Sequence, residues 1–190
     1  MECSASGAPR SAALFGFVPY FDMQLRLAQP DDAMAVARVH VRSWQLAYRT
    51  LLSDDYLSQL RPEDRARSYD FTNLDPLKPR TIVAAEAGVI LGFATTMPSR
   101  DADLPDHGEL CALYVDPDKW GQGIGATLIA AARAHLLALG HRKALLWVLV
   151  GNARAERFYR IDRWVAEGCC RTDSGWKGIE VNEVRYQRGL

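Results

Sequence analysis

The stretch from Leu113 to Ala126, Leu-Tyr-Val-Asp-Pro-Asp-Lys-Trp-Gly-Gln-Gly-Ile-Gly-Ala, constrains the fold more than any other part of the chain. A β-favouring run over Gly108 to Val115 is halted by Asp116-Pro117-Asp118. A glycine-rich segment follows and opens an apolar helix, with Ile124, Leu128, Ala131, Ala132, His135 and Leu139 on one stripe and Gly140 as its stop. Glycine leaves room for backbone N–H groups to approach a ligand. The N-terminus of the helix adds unsatisfied donors and the positive end of its dipole. Strand, glycine turn and helix together predict a phosphate cradle that needs no basic side chain.

Gly121, Gly123 and Ala126 also satisfy the GxGxxA form of a dinucleotide fingerprint. That fold places its glycines directly after the strand and an acid at the end of the next one. Here Asp116 to Trp120 intervene, and the run Ala144 to Val150 contains no acid. A dinucleotide site is therefore disfavoured, as is a glycine turn that only packs.

The remaining segments supply the frame. Gln24 to Ala28 reads as a strand. Pro30 with Asp31 and Asp32 starts a helix carrying Ala33, Val36, Ala37, His40, Val41 and Trp44. Helix starts follow at Ser53-Asp54-Asp55 and at Pro62-Glu63-Asp64, and Asp70 to Arg80 is a loop. Thr81 to Glu86 and Val89 to Met97 flank Ala87-Gly88, a hairpin signal. Ala144 to Val150 is a strand apolar throughout, as strands buried on both faces are. Asn152 to Ile161 is helical, and strands near Trp164 to Cys169 and Ile179 to Gln187 end the chain. The fold class is α/β in the mixed α+β sense, a mixed sheet with helices on both faces. Residues 23–190 are expected to form one domain, and residues 1–22, without periodicity, a disordered extension.

Composition narrows the function. The 23 Lys and Arg are matched by 23 Asp and Glu, whereas nucleic-acid binders carry a basic excess. No apolar run reaches the roughly 18 residues that span a bilayer. Cys3, Cys111, Cys169 and Cys170 lack metal-ligand spacing, and the four histidines form no HExxH, so no metal is expected. Reduced thiols and the absence of a basic leader point to the cytoplasm. A homodimer stays open.

From Met23 to Arg188 the chain resembles the GNAT superfamily of N-acetyltransferases. The family motif is Arg or Gln, two residues, Gly, one residue, then Gly or Ala. Gly123-Ile124-Gly125 fills its glycine end, and Trp120 stands where the Arg or Gln would be. A second element, Leu146 to Val150 followed by Gly151-Asn152 and by Phe158-Tyr159, looks like the family's buried strand, asparagine and Phe-Tyr pair. Where Gly usually precedes the next aromatic, Arg163 precedes Trp164. The resemblance implies a mostly antiparallel central sheet. It also implies transfer of an acetyl group from acetyl-CoA to an amine by direct attack in a ternary complex.

By the same resemblance, the backbone of Gly121, Gln122, Gly123, Ile124, Gly125 and Ala126 binds the CoA pyrophosphate. Leu113, Tyr114 and Val115 offer backbone groups to the pantetheine arm and the acetyl carbonyl. Asn152 caps a helix and bonds the arm. Tyr159, seven residues on and on the same face, protonates the departing thiolate. Glu109 is either the general base or an edge carboxylate in solvent. By strand alternation it shares a face with Cys111, Leu113 and Val115. Trp44 and Tyr48, one stripe with His40, border the acceptor groove or belong to the core. The acceptor amine is not readable. A catalytically silent acyl-CoA-binding module is the alternative, with CoA release in the presence of amines as the discriminator.

Overall fold

The computed structural model describes residues 23–176 and 178–190. The extension expected over residues 1–22 lies outside the described residues. Seven strands form one sheet in the order β1-β2-β3-β4-β5-β7-β6. They are β1 (Gln24–Leu27), β2 (Arg80–Glu86), β3 (Val89–Pro98), β4 (Gly108–Val115), β5 (Lys143–Leu149), β6 (Val165–Trp176) and β7 (Ile179–Gly189). Every neighbouring pair is antiparallel except β4 and β5. A parallel neighbour requires a crossover, and the helix α4 (Ile124–Ala138) provides it. The mixed, mostly antiparallel sheet expected from the sequence is the one observed.

Two layers of helix cover the sheet. α4 packs Leu128, Ile129, Ala132 and Leu136 against Ile82, Ala84, Ala94, Leu110 and Leu146, and α5 (Ala153–Ile161) adds Phe158 and Tyr159 to the same cluster. On the other face α1 (Ala33–Ala47) sets Val36 and Val39 against Val83, Ile90 and Phe93. Tyr48, at the end of α1, meets Leu57 of α2 (Asp54–Gln59), Leu149 and Val181. A short α3 (Pro62–Ala66) follows. Ala144, Leu145, Leu146 and Val148 of β5 are all buried, as an apolar run without alternation requires.

Two turns use the left-handed region. The β2–β3 hairpin turns on Ala87 and Gly88, both with positive φ. After α5 the chain turns through Arg163, at φ 66°, so arginine carries a conformation that glycine adopts at less cost.

A bulge in β4 positions the site. Thr95 of β3 pairs Ala112 and Thr96 pairs Leu110, so Cys111 is an extra residue. The insertion reverses the alternation of side chains. Leu110, Leu113 and Val115 face α4 together, and Ala112 and Tyr114 face α1. Glu109, next to Leu110, therefore falls on the α1 side, not with Leu113 and Val115. The shared face expected for residues 109, 111, 113 and 115 is corrected by this bulge.

Candidate active site

β4 and β5 pair only at Gly108↔Ala144 and Glu109↔Leu145. Beyond that point they diverge, and among the described residues the edge of β4 over Leu113 to Val115 has no strand partner on the β5 side. A cavity of about 390 Å³ fills the gap. Its walls come from β4, β5, β7, the start of α4, α5 and the end of α1.

At one end lies the glycine segment. A 3₁₀ turn, Pro117–Lys119, capped by the Asp116 side chain, leads into it. Gly121 and Gly123 have φ of 78° and 81°, and a Cβ on either would point into open space. Gly123 is the N-cap of α4 without a side-chain cap bond, so the first-turn N–H groups are left to a ligand. A Cβ on Gly125 would sit 3.3 Å from the Phe158 ring, a tight contact between α4 and α5 to which the ring would have to yield by a few tenths of an ångström. Gly121, Gly123, Ile124, Gly125 and Ala126 line the cavity. Gln122 is not part of that lining, and its side chain donates to the Asp118 carbonyl at 3.4 Å.

Trp120, at the Arg-or-Gln position of the motif, donates from Nε1 to the Val115 carbonyl at 2.8 Å, and Ser43 Oγ donates to the same oxygen at 3.0 Å. The Arg154 guanidinium lies 3.2 Å from the centre of the Trp120 ring. Arg154 and Lys119 both line the cavity, so cations flank the cradle after all. The sequence reading missed Arg154; the signal was Trp120 itself, a flat platform where the motif has Arg or Gln.

Toward the other end Asn152 Oδ1 accepts from the Ala155 N–H at 3.1 Å, the expected cap of α5. Tyr159 and Asn152 line the same cavity. Burial, with Tyr114 adding to it, holds the Tyr159 hydroxyl well above the ordinary phenol range, so it keeps its proton at neutral pH. Among the described residues no group hydrogen-bonds that hydroxyl, which leaves it to whatever enters the cavity.

Glu109 is neither at this end nor in solvent. It is 2% exposed, beside the last β4–β5 pair. Arg100 holds it, donating from Nε to Oε2 at 3.1 Å and from Nη2 to Oε1. A carboxylate so engaged at the closed end of the gap, outside the cavity wall, lacks the reach of a general base. The edge carboxylate in solvent is corrected by the same observation. Cys111 does line the cavity, but burial and the neighbouring Glu109 push its thiol up to about 12, so it is a packing group and not a nucleophile.

Of the two acceptor-side residues, Tyr48 lines the cavity, its hydroxyl 3.4 Å from that of Tyr114. Trp44 does not. Its ring packs between His40 and Tyr48, with centroids 4.9 and 5.6 Å away, and borders a separate pocket of about 40 Å³. One carboxylate lines the main cavity among the described residues, Glu183 of β7, which the sequence reading also missed. Its signal was the pattern Val181, Glu183, Arg185 at alternate positions of a strand, charges on a face that should be buried. All three are buried. Among the described residues no group of three His, Cys, Asp or Glu could hold a metal ion, and no helix is long and apolar enough to cross a membrane.

The arrangement offers an anion cradle, an unpaired strand edge for an amide-bearing arm and a protonated hydroxyl. CoA fits it, since pyrophosphate, pantetheine amides and thiol occur in that order. Comparison with known proteins agrees. The family described as Acetyltransferase (GNAT) family matches residues 44–162. An uncharacterized N-acetyltransferase of Bacillus subtilis, YuaI, is 32% identical over 131 residues, 67% of this chain and 72% of that protein. An uncharacterized N-acetyltransferase of Archaeoglobus fulgidus is 32% identical over 160 residues, 83% of this chain and 100% of that one. The fold matches that of PaiA N-acetyltransferase from Thermoplasma acidophilum, solved in complex with coenzyme A, with a TM-score of 0.71 at 18% identity over 89% of this chain and 99% of that one. The chain belongs to the acetyltransferase (GNAT) family and is an N-acetyltransferase.

Proposed function

We propose that the cavity between β4 and β5 is where an acetyl group passes from acetyl-CoA to an amine by direct attack, both substrates being bound together. One observation carries this reading: the cradle at Gly121 to Ala126 and the protonated, unpartnered Tyr159 hydroxyl line a single cavity. In this reading the N–H groups of the first turn of α4 hold the pyrophosphate, with Arg154 and Lys119 beside it. The open edge of β4 over Leu113 to Val115 receives the pantetheine arm, and Asn152 closes over it. Tyr159 donates its proton to the sulfur as the carbon–sulfur bond breaks. Tyr48 and Tyr114 bound the space into which the amine comes. No thiol on the protein need carry the acetyl group, since Cys111 is held in its neutral form.

Residues 23–190 are the catalytic domain in this account. The described cysteines, Cys111, Cys169 and Cys170, are thiols, which supports work in the reducing cytoplasm. A panel of primary amines incubated with acetyl-CoA, with free CoA thiol as the readout, tests the proposal. Amine-dependent thiol release is expected. CoA binding without release under any amine would make the protein an acyl-CoA-binding module instead.

A further inference from the structure

Direct attack requires the amine to shed a proton, and Glu109, locked to Arg100 outside the cavity wall, does not meet it. Resting on the transferase reading above, we propose that Glu183 is the catalytic residue that takes the proton from the incoming ammonium, and that the acceptor is a primary amine arriving in its cationic form.

Glu183 stands on β7 opposite Leu149 of β5 and Arg171 of β6. It is 5% exposed, and that remnant opens on the cavity shared with Tyr159, Tyr48 and Tyr114. Arg171 donates from Nε to Oε2 at 2.8 Å, and its Nη2 also lies 2.8 Å from Oε2. Among the described residues these contacts fall on Oε2 alone, so Oε1 is left to a ligand. The groups facing this carboxylate are Arg171 and Asp173 of β6, Arg100 before β4, Tyr114 of β4 and Tyr48 after α1. Burial raises the affinity of Glu183 for a proton, and Arg171 offsets part of that rise. A carboxylate with a raised proton affinity and one oxygen facing the cavity is suited to receive a proton from a bound ammonium.

The surroundings favour a cation. Asp101, Asp103, Glu167, Asp173 and Glu183 gather around Arg171 and Arg185, an excess of carboxylates that Arg100, which also faces Glu183, reduces without cancelling. Glu183 is the member of that network that reaches the cavity.

The ammonium gives one proton to Oε1 of Glu183 and becomes a neutral amine. Its nitrogen lone pair forms a bond to the thioester carbonyl carbon. The carbon–sulfur bond breaks with its electron pair on sulfur, and sulfur takes the Tyr159 proton. The new amide nitrogen sheds its second proton to the tyrosinate, and Glu183 releases its own to water. Ammonium and acetyl-CoA thus become amide, CoA thiol and one proton.

The test measures kcat/KM between about pH 6 and pH 10 with a simple alkylamine for wild type, Glu183→Gln and Glu183→Asp, with CoA affinity by calorimetry. Removing a base costs about 10²-fold or more, so Glu183→Gln should lose about 10²-fold at pH 7 with CoA affinity unchanged. Its rate should climb tenfold per pH unit toward the amine's own pKa, where wild type has already levelled. Glu183→Asp, with the carboxylate drawn back by one methylene, should be slower but keep the wild-type profile; it decides the matter even if the Gln variant does not fold. A Gln variant with the wild-type profile, or an Asp variant with the Gln-like climb, overturns the assignment alone. Absence of amine-dependent CoA release in wild type overturns the transferase reading and this assignment with it.

Discussion

Glu109 and Leu145 are the last residues at which β4 and β5 pair, and the cavity begins where that pairing stops. The Cys111 bulge bends β4 away just beyond Glu109. Ser43 and Trp120 then fix the far end of the strand through the Val115 carbonyl. The gap is therefore built into the backbone and does not await a ligand to open it. Its two lips differ: the α4 side carries the cradle and Tyr159, and the α1 side carries Tyr48 and Tyr114.

Gly123→Asp should abolish tight CoA binding. The new Cβ would enter the space above the α4 N-terminus at a φ of 81°, and its carboxylate would meet the pyrophosphate. Left-handed strain lowers stability in the free and bound protein alike, whereas like-charge repulsion at close range, about 1–4 kcal/mol for a site near the surface, lowers affinity. Calorimetry should show CoA affinity lowered by about 30-fold or more in a variant with native circular dichroism. Unchanged affinity would remove the cradle from the account.

Arg154→Ala should raise KM for acetyl-CoA by about 5- to 30-fold, the equivalent of one charge-assisted contact of about 1–2 kcal/mol. S-acetylpantetheine, which lacks the diphosphate, should show no change. A loss with both donors would mean that Arg154 supports the fold through Trp120 rather than the phosphates.

Glu109→Gln should cost stability and spare chemistry. The neutral amide still meets Arg100, but a charge-assisted pair is lost from a buried site, about 1–3 kcal/mol. Urea denaturation should show that loss. The pH profile of kcat/KM should stay as in wild type, and a lost acidic limb would restore Glu109 as the base.

Ala87→Asn should stabilise the protein. Ala87 at φ 48° and Gly88 at φ 80° form a two-residue hairpin turn that favours Asn-Gly. A gain of about 0.5–1 kcal/mol should raise Tm by about 1–4 °C. A lower Tm would mean that Ala87 makes a contact that asparagine disrupts.

What could be read from the residues was what local rules encode. The glycines before Ile124, the Asn152 cap, the uninterrupted run of β5 and the Ala87-Gly88 turn each act within a few residues. The Cys111 bulge was not legible, because it arises from register against β3. That single inserted residue moved Glu109 to the other face and undid its reading. Glu183 and Arg154 gain their places from strand order and from stacking on Trp120, relations between segments about 30 residues apart or more. Arg163 was legible as an irregularity: the turn forms without glycine, at the expense of a left-handed arginine.

The most direct measurement is steady-state kinetics of Tyr159→Phe with the best acceptor found, alongside CoA binding. The ring and its packing against Phe158 and Trp164 are kept, and only the hydroxyl is lost. Removing a general acid costs about 10²–10⁴-fold. A thiol ionises near pKa 8.5 and so leaves fairly readily, which places the expected loss in kcat near 10²-fold. KM for acetyl-CoA and CoA affinity should be unchanged. Full activity in the Phe variant would contradict the account, leaving Tyr159 as a packing residue and water as the source of the proton.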